Sequence, residues 1–338
     1  MADSQLPEVH QVLFVQPAFI GDVILFTGLL ETWHVAWPRA AVDVWVRKGN
    51  ERLFADHPFV REVRVWDKSH ARYAALLGQI RSVRSARYDA VITPHRHASS
   101  GLLAGLSGAP IRVGFKQNPW SFLFTRRVRH VLENGGHEVE RNHGLIAPWC
   151  PDRRLPRLYP GTDHAIPETW RGAIVLAPAS QWFTKQWPPE KWVALLHQLA
   201  HHAPETPVVL MGGPADASLV DSLLQRSRKH PRVFRTPAKA SLDYAAAVIQ
   251  RAACVVSNDS APLHLASALG VRAVAIYCST VPAFGFGPLT PGSTIIEAEE
   301  ELPCRPCGAH GHKKCPEGHF QCARSIGAER VRDAVLNA

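Results

Sequence analysis

Short apolar runs alternate with amphipathic helical stretches along this chain, and the alternation stops once and then begins again. Runs of this kind, separated by about 10–15 residues of helical pattern, bury both their faces only as a parallel sheet covered by helices. In the first half, strands are predicted at Val12–Val15, Val42–Val46, Glu62–Trp66, Ala90–Thr93 and Ile111–Phe115. Helices are predicted at about Val23–Trp37 and Tyr73–Ser85, in an Ala/Leu/Gly stretch ending at Ser107, and from His137 to near Pro148. The proline-rich segment Cys150 to Gly172 reads as a linker. Beyond it the pattern resumes with strands at Ala173–Leu176 and Val208–Met211 and helices at Glu190–His201 and Ala215–Arg228. The stretch Cys254–Ile276 is a complete strand–turn–helix–strand unit. No short sequence repeat is visible, only repeated architecture. Two α/β halves predict a cleft between them, with ligands at the carboxyl ends of the strands.

The chain has 338 residues, 46% hydrophobic and 20% charged, which describes a folded protein of two ordinary domains. A formal charge of +9 fits nucleic acid, an acidic membrane surface or phosphorylated substrates, and composition alone does not separate them. The first apolar run, Val12 to Leu30, is broken by Gln16, Pro17, Gly21 and Asp22, which argues against a membrane span. The opening residues also lack the basic start and apolar core of a signal peptide, so a cytoplasmic location is expected.

Candidate chemistry falls on the loops that follow strands. Asp22 ends the first such loop, where a carboxylate could act as a general base toward a hydroxyl or cap the helix predicted from Val23. The loop Ala177–Pro188 offers Lys185 as a phosphate counter-charge and Ser180 and Thr184 as donors to phosphate oxygens. Trp187, Pro188 and Trp192 are expected to pin it to the next helix. In the unit at Cys254–Ile276 a helix start at Asp259-Ser260 with Pro262 in its first turn suits an anion, with His264 one turn on. Asp259 would repel a diphosphate directly beside it, and is expected to cap the helix or accept hydrogen bonds from a sugar or neighbouring N–H groups. An ordinary capped helix in an α/β core reads the same stretch equally well. His95, Arg96 and His97 follow a strand, and Lys116 to Arg129, carrying Arg126, Arg127 and Arg129, reads as an exposed cationic loop outside the core.

Cys150, Cys254 and Cys278 are isolated and read as reduced core residues. The other four, Cys304, Cys307, Cys315 and Cys322, lie with His310, His312 and His319 in a pattern that resembles a metal-ligand array. It could hold a structural zinc or iron, or be a compact cysteine-lined loop without metal.

Taken together, VLFVQPAFIGDVILFTGLL, RVGF followed by HEVERN, APASQWFTKQWPPEKW, NDSAPLHLASALG, VPAFGFGP and CRPCGAHGHKKCPEGHFQC resemble glycosyltransferase family 9, the lipopolysaccharide heptosyltransferases, and its heptosyltransferase II branch above all. The resemblance runs from Val12 to about Val335. It implies a GT-B fold of two Rossmann-like domains with mostly parallel sheets. These would be an acceptor-binding domain at 1–160, a nucleotide-sugar domain at 172–325 and a C-terminal helix at 326–338. It implies an inverting transfer of heptose from ADP-heptose to a heptose hydroxyl of the lipopolysaccharide inner core, with no metal required for catalysis. Asp22 then matches the family's catalytic base, and Lys185 the lysine that neutralises the leaving diphosphate. Ser180, Thr184, Asp259, Ser260 and His264 fall at donor-binding positions. The acceptor, a phosphorylated lipid A–core, would suit His95, Arg96, Arg126 and Arg127. A monomer at the inner face of the inner membrane, without nucleic acid, completes the expectation.

Two departures stand out. Family members commonly carry Gly-Pro-Met-His where this chain has Ala261-Pro262-Leu263-His264, and often Gly-Pro where it has Cys278-Ser279. Ala261 at a tight phosphate-facing turn would narrow the approach of a diphosphate. Another nucleotide-sugar donor or a protein acceptor is the alternative within the family. A non-catalytic nucleotide-sugar or nucleic-acid binder is the alternative outside it, and the pair Asp22 and Lys185 argues against that.

Overall fold

The computed structural model describes residues 8–67, 72–132, 136–227 and 230–337, without the side chains of 72–74. The chain divides into two compact units, Met1–Tyr159 and Pro160–Ala338.

In the first unit the order is β1 (Gln11–Gln16), α1 (Ile20–Ala36), β2 (Ala41–Arg47), β3 (Val60–Trp66), α2 (Arg72–Ser85), β4 (Ala90–Thr93), α3 (Ala98–Gly105), β5 (Ile111–Phe115), β6 (Arg126–Val128) and α4 (Glu138–His143). The strands form one parallel sheet in the order β3-β2-β1-β4-β5-β6. Five of the six residues of β1 are buried, as a strand covered on both faces requires. One face packs Leu13, Trp45, Trp66, Leu76, Val83 and Leu103 into a core in which Trp45 and Trp66 stack at 4.8 Å.

The second unit contains β7 (Ile174–Ala177), α5 (Pro189–His202), β8 (Val208–Leu210), α6 (Ala217–Arg226), β9 (Val233–Arg235), α7 (Leu242–Gln250), β10 (Cys254–Asn258), α8 (Ala261–Ala268), β11 (Ala273–Tyr277), β12 (Thr294–Glu297), α9 (Gln321–Arg324) and α10 (Ala328–Leu336). Its parallel sheet runs β12-β11-β10-β7-β8-β9. Read from the other edge, this is the strand order of the first unit. In each sheet the chain therefore reverses direction between its first and fourth strands, and the loops after those two strands flank the point where open α/β sheets bind ligands. The C-terminal helix α10 packs on α5 and β11 within the second unit.

Several expectations change. α1 starts at Ile20 with Phe19 as its N-cap, so Asp22 is not a cap but stands in the first turn. The stretch Lys116 to Arg129 is not wholly a loop: Arg126–Val128 pairs with β5, and Phe124 is buried in the core. The edge strands β9 and β12 are too short, at three and four residues, to display a period in the sequence. The expected end of one helix at Arg228 lies outside the described residues.

The connector is strapped to the helices it passes. Arg154 N–H donates to Thr32 Oγ1 at 2.9 Å and Arg157 N–H to Thr27 Oγ1 at 3.0 Å, both hydroxyls belonging to buried residues of α1. Gly28 lies between them because a Cβ there would come within 3.0 Å of the Arg154 carbonyl oxygen. Tyr159 donates to Glu31 at 3.0 Å, and beyond it Gly161 N–H and His164 both bond Asp243.

His57 is buried against the Tyr159 and Phe59 rings, with Glu31 at 3.8 Å from Nε2. Burial first, then the neighbouring His34, pushes its pKa down to about 4. A histidine depressed in the folded state binds fewer protons there than in the unfolded chain, where its pKa is near 6.5. Its contribution to stability is therefore present above that value and lost as pH falls from 6.5 toward 4. Between pH 6.5 and 5 the loss should reach about 2 kcal/mol. Denaturant melts of His57→Gln across that range should show a flatter acid limb than the parent protein.

Candidate active site

In the first unit, the loop after β1 is fixed by Asn50 Nδ2, which donates to the Ala18 carbonyl at 3.1 Å, and by the Arg47 guanidinium over the Phe19 ring. It delivers Asp22, half-buried, into the first turn of the seventeen-residue α1, where the helix dipole favours a negative charge. After β4 come His95, Arg96 and His97. Asn118, 2% exposed, donates to both the His95 and His97 carbonyls at 3.1 and 3.0 Å, and His95 Nδ1 lies 2.9 Å from Ser100 Oγ. Arg96 is exposed. Arg126 turns its guanidinium onto the Leu145 and Gly144 carbonyls at 3.3 and 3.5 Å, bracing the end of α4, while Arg127 is exposed.

In the second unit the loops after β7, β10 and β11 are sewn together. Asn258, fully buried at the end of β10, donates to the Pro178 carbonyl at 2.7 Å and accepts from Trp187 N–H at 2.9 Å. The Trp192 indole donates to the Trp187 carbonyl at 3.1 Å, so both tryptophans pin the loop to α5 as expected. That fixes a 3₁₀ turn, Phe183–Lys185. Lys185 Nζ then reaches Asp259 Oδ2 at 2.5 Å, and Thr280 Oγ1 donates to the same oxygen at 2.7 Å. Asp259 is thus neither a helix cap nor a solvated carboxylate: it holds Lys185 in place.

Thr184 is 1% exposed. Its hydroxyl accepts from Ser279 Oγ at 3.0 Å and from His312 N–H at 2.7 Å, which ties the cysteine-rich segment to the lysine turn. Gly311, at φ +76°, allows that approach, since a Cβ there would sit 3.2 Å from Lys185 Cγ. Arg305 forks onto the Cys278 and Thr280 carbonyls at 2.7 Å each and pairs with Glu297. Ser260 is the N-cap of α8, its Oγ 3.2 Å from Ser257 Oγ, and Ser180 closes its loop by accepting from Gln186 at 2.7 Å. His264 is buried one turn into α8, near Phe286. Ala261 occupies the first helical position of α8 without a positive φ, so the glycine common there in the family is not required by this backbone.

Asn258, Thr280, Ser279 and Arg305 were not anticipated from the sequence. Asn258 alone carried a signal, as a polar residue at the end of an apolar strand.

The array of four cysteines is corrected. Among the described residues no group of three or more His, Cys, Asp and Glu side chains could hold a metal ion. Cys322 is packed into the core of the second unit with Cys315 against it, and Cys307 Sγ turns to the Cys304 carbonyl at 3.1 Å. Burial, with the neighbouring thiols Cys307, Cys315 and Cys304 adding to it, pushes the Cys322 thiol up to about 11. The segment clamps the lysine turn through His312 and the loop after β11 through Arg305.

A model of glycosyltransferase family 9 (heptosyltransferase) matches residues 77–319. The chain belongs to this family. The matched stretch contains Lys185, Asp259, Cys304, Cys307 and Cys315; Asp22 precedes it and Cys322 follows it. Lipopolysaccharide heptosyltransferase 2 of Escherichia coli K12 is 23% identical over 97% of this chain and 98% of its own length. The solved structure of E. coli ADP-heptose lps heptosyltransferase II superposes with a TM-score of 0.79 at 21% identity, covering 96% of this chain and 97% of that one. E. coli heptosyltransferase WaaC with ADP superposes with a TM-score of 0.73 at 22% identity, covering 97% and 99%. The family 9 chain thus has the GT-B fold, and it is a glycosyltransferase.

Proposed function

We propose that the protein transfers heptose from ADP-heptose to a heptose hydroxyl of the lipopolysaccharide inner core with inversion. What carries this reading, beside family membership, is the cluster of Lys185, Asp259 and Thr280 at the carboxyl ends of β7, β10 and β11. In the step, the acceptor hydroxyl gives its proton to the Asp22 carboxylate while its oxygen bonds the anomeric carbon. The bond from that carbon to the β-phosphate oxygen breaks, and its electron pair leaves with ADP. The negative charge that develops is met by Lys185, oriented by Asp259, and by the N–H groups at the start of α8, roles that a metal ion plays in other transferases. Ser180, Ser260 and His264 line the donor side. Thr184 serves it indirectly, as the post that fixes Lys185.

His95, Arg96, Arg126 and Arg127 are assigned to a phosphorylated lipid A–core acceptor, with the protein acting as a monomer on the cytoplasmic face of the inner membrane. No helix among the described residues is long and apolar enough to cross a membrane. Replacing Arg126 and Arg127 with alanine should raise the acceptor KM about tenfold or more, each charged hydrogen bond contributing roughly 1.5–3 kcal/mol, and leave ADP-heptose affinity unchanged. Steady-state kinetics with a truncated, heptose-bearing acceptor reads this; an unaltered acceptor KM would remove these arginines from the site.

A further inference from the structure

From Ala90 to Leu132 the chain carries six Lys and Arg residues and not one Asp or Glu. In the middle of this stretch, between β5 and β6, stands an apolar tip. Phe122 is 65% exposed, more than any other large hydrophobic side chain among the described residues. The half-buried Trp120 lies against it, ring centroids 5.8 Å apart.

The tip is not a loose loop. Asn118 fixes one side through the His95 and His97 carbonyls, and its Oδ1 accepts from Trp120 N–H at 2.9 Å. Arg112 fixes the other, donating to the Leu123 carbonyl at 2.9 Å, while Thr125 pairs with the Arg112 backbone at 2.8 and 3.0 Å. Leu123 packs onto α3 at Gly105, next to the partly exposed Leu106. Lys116, whose carbonyl accepts from Ser121 Oγ at 3.0 Å, Arg96, between the two carbonyls that Asn118 holds, and Arg127 and Arg129, in and just after β6, are all exposed.

A rigid aromatic tip, exposed at Phe122 and set in a stretch that carries six cations and no acid, fits an acidic bilayer. The ring of Trp120 suits the headgroup level, Phe122 the acyl boundary, and the cations the anionic lipid phosphates. Preformed geometry means little ordering entropy is lost on docking. We infer that the Trp120–Phe122 tip, with Lys116 and Arg129, is the surface by which this protein docks on an anionic phospholipid membrane. The inference deepens the membrane-face reading proposed above and rests on it for its biological setting, but its test needs neither donor nor acceptor.

The experiment is co-flotation of the full chain with vesicles of phosphatidylethanolamine and phosphatidylglycerol at 3:1, and with phosphatidylcholine alone. The parent protein should float with the anionic vesicles, less so at high salt, and not with the neutral ones. Trp120→Ser/Phe122→Ser should lower the apparent vesicle affinity at least tenfold while transfer to a short water-soluble acceptor is kept. Lys116→Glu/Arg129→Glu, which leaves the aromatic tip untouched, should lower it as well and checks the result independently of any packing change at the tip. Equal flotation of parent and both variants overturns the inference, as does failure of the parent to bind anionic vesicles. A tip that instead joins two copies of the chain would show as a dimer-to-monomer change in sedimentation of the serine variant without vesicle binding, and also overturns it. Loss of transfer in the parent with flotation intact would count against the proposed reaction and not against the docking surface.

Discussion

Asp22→Asn should lower kcat by roughly 10²–10⁴, the range that a positioned general base contributes, while leaving the KM for ADP-heptose within about twofold. The substitution suits the question because the site is local and conservative. Asp22 lies in the first turn of α1, where its charge interacts with the helix dipole, an effect of roughly 0.3–1 kcal/mol. Asparagine keeps the shape and removes the proton-accepting charge, and the share of stability that comes from the helix dipole should fall by about that amount. A melt within a few degrees of the parent together with collapsed transfer assigns the carboxylate to the chemistry. An unchanged kcat would reduce Asp22 to a favourable charge at a helix start.

Lys185→Met should be nearly as damaging to turnover and far more damaging to the fold. Removing a preorganised charge aimed at a developing anion costs about 10²–10³ in rate. Here the lysine is also one half of a largely buried ion pair, its side chain 14% and that of Asp259 9% exposed. Leaving Asp259 without its cation should destabilise the second unit by about 3 kcal/mol, softened by the Thr280 hydroxyl that remains on the same oxygen. The double variant Lys185→Met/Asp259→Asn separates the two effects. Neutralising the stranded carboxylate should recover part of the lost stability and none of the turnover. Recovery of transfer in the double variant would show that Lys185 matters only as a partner for Asp259.

Asp22 and Lys185 follow the first strand of their respective sheets, and Arg96 and Asp259 follow the fourth. That correspondence is invisible as sequence similarity between the halves. It follows from both units having the same strand order, which places the loops after those strands at each sheet's reversal point.

The central strands were legible because strands such as β1, β7, β10 and β11, buried on both faces, must be continuous apolar runs bounded by turn residues. Three of the four edge strands escaped: β6, β9 and β12 pair on one side only and run for just three or four residues, whereas the seven-residue edge strand β3 was legible. The start of α1 was misplaced by three residues because Asp is a good N-cap, whereas the backbone begins the helix at Phe19 without a side-chain cap. For the four cysteines the spacing left a structural metal and a metal-free cysteine-lined loop both open, and among the described residues no group of three or more His, Cys, Asp and Glu could hold a metal ion. Spacing brought the thiols near one another, but packing set Cys322 in the core and turned Cys307 toward a carbonyl, which spacing does not report.

The sequence by itself determined the two α/β halves, the proline-rich connector, and which loops carry Asp22, Lys185 and Asp259. These depend on hydrophobic period, turn chemistry and motif order, all local properties of the chain. Only the tertiary structure decided what those residues do to one another. Lys185 and Asp259 are 74 residues apart, and Thr184 and His312 are separated by 128. Contacts at such separations are set by which strands lie side by side in a sheet, and strand adjacency is a property of the whole packed domain.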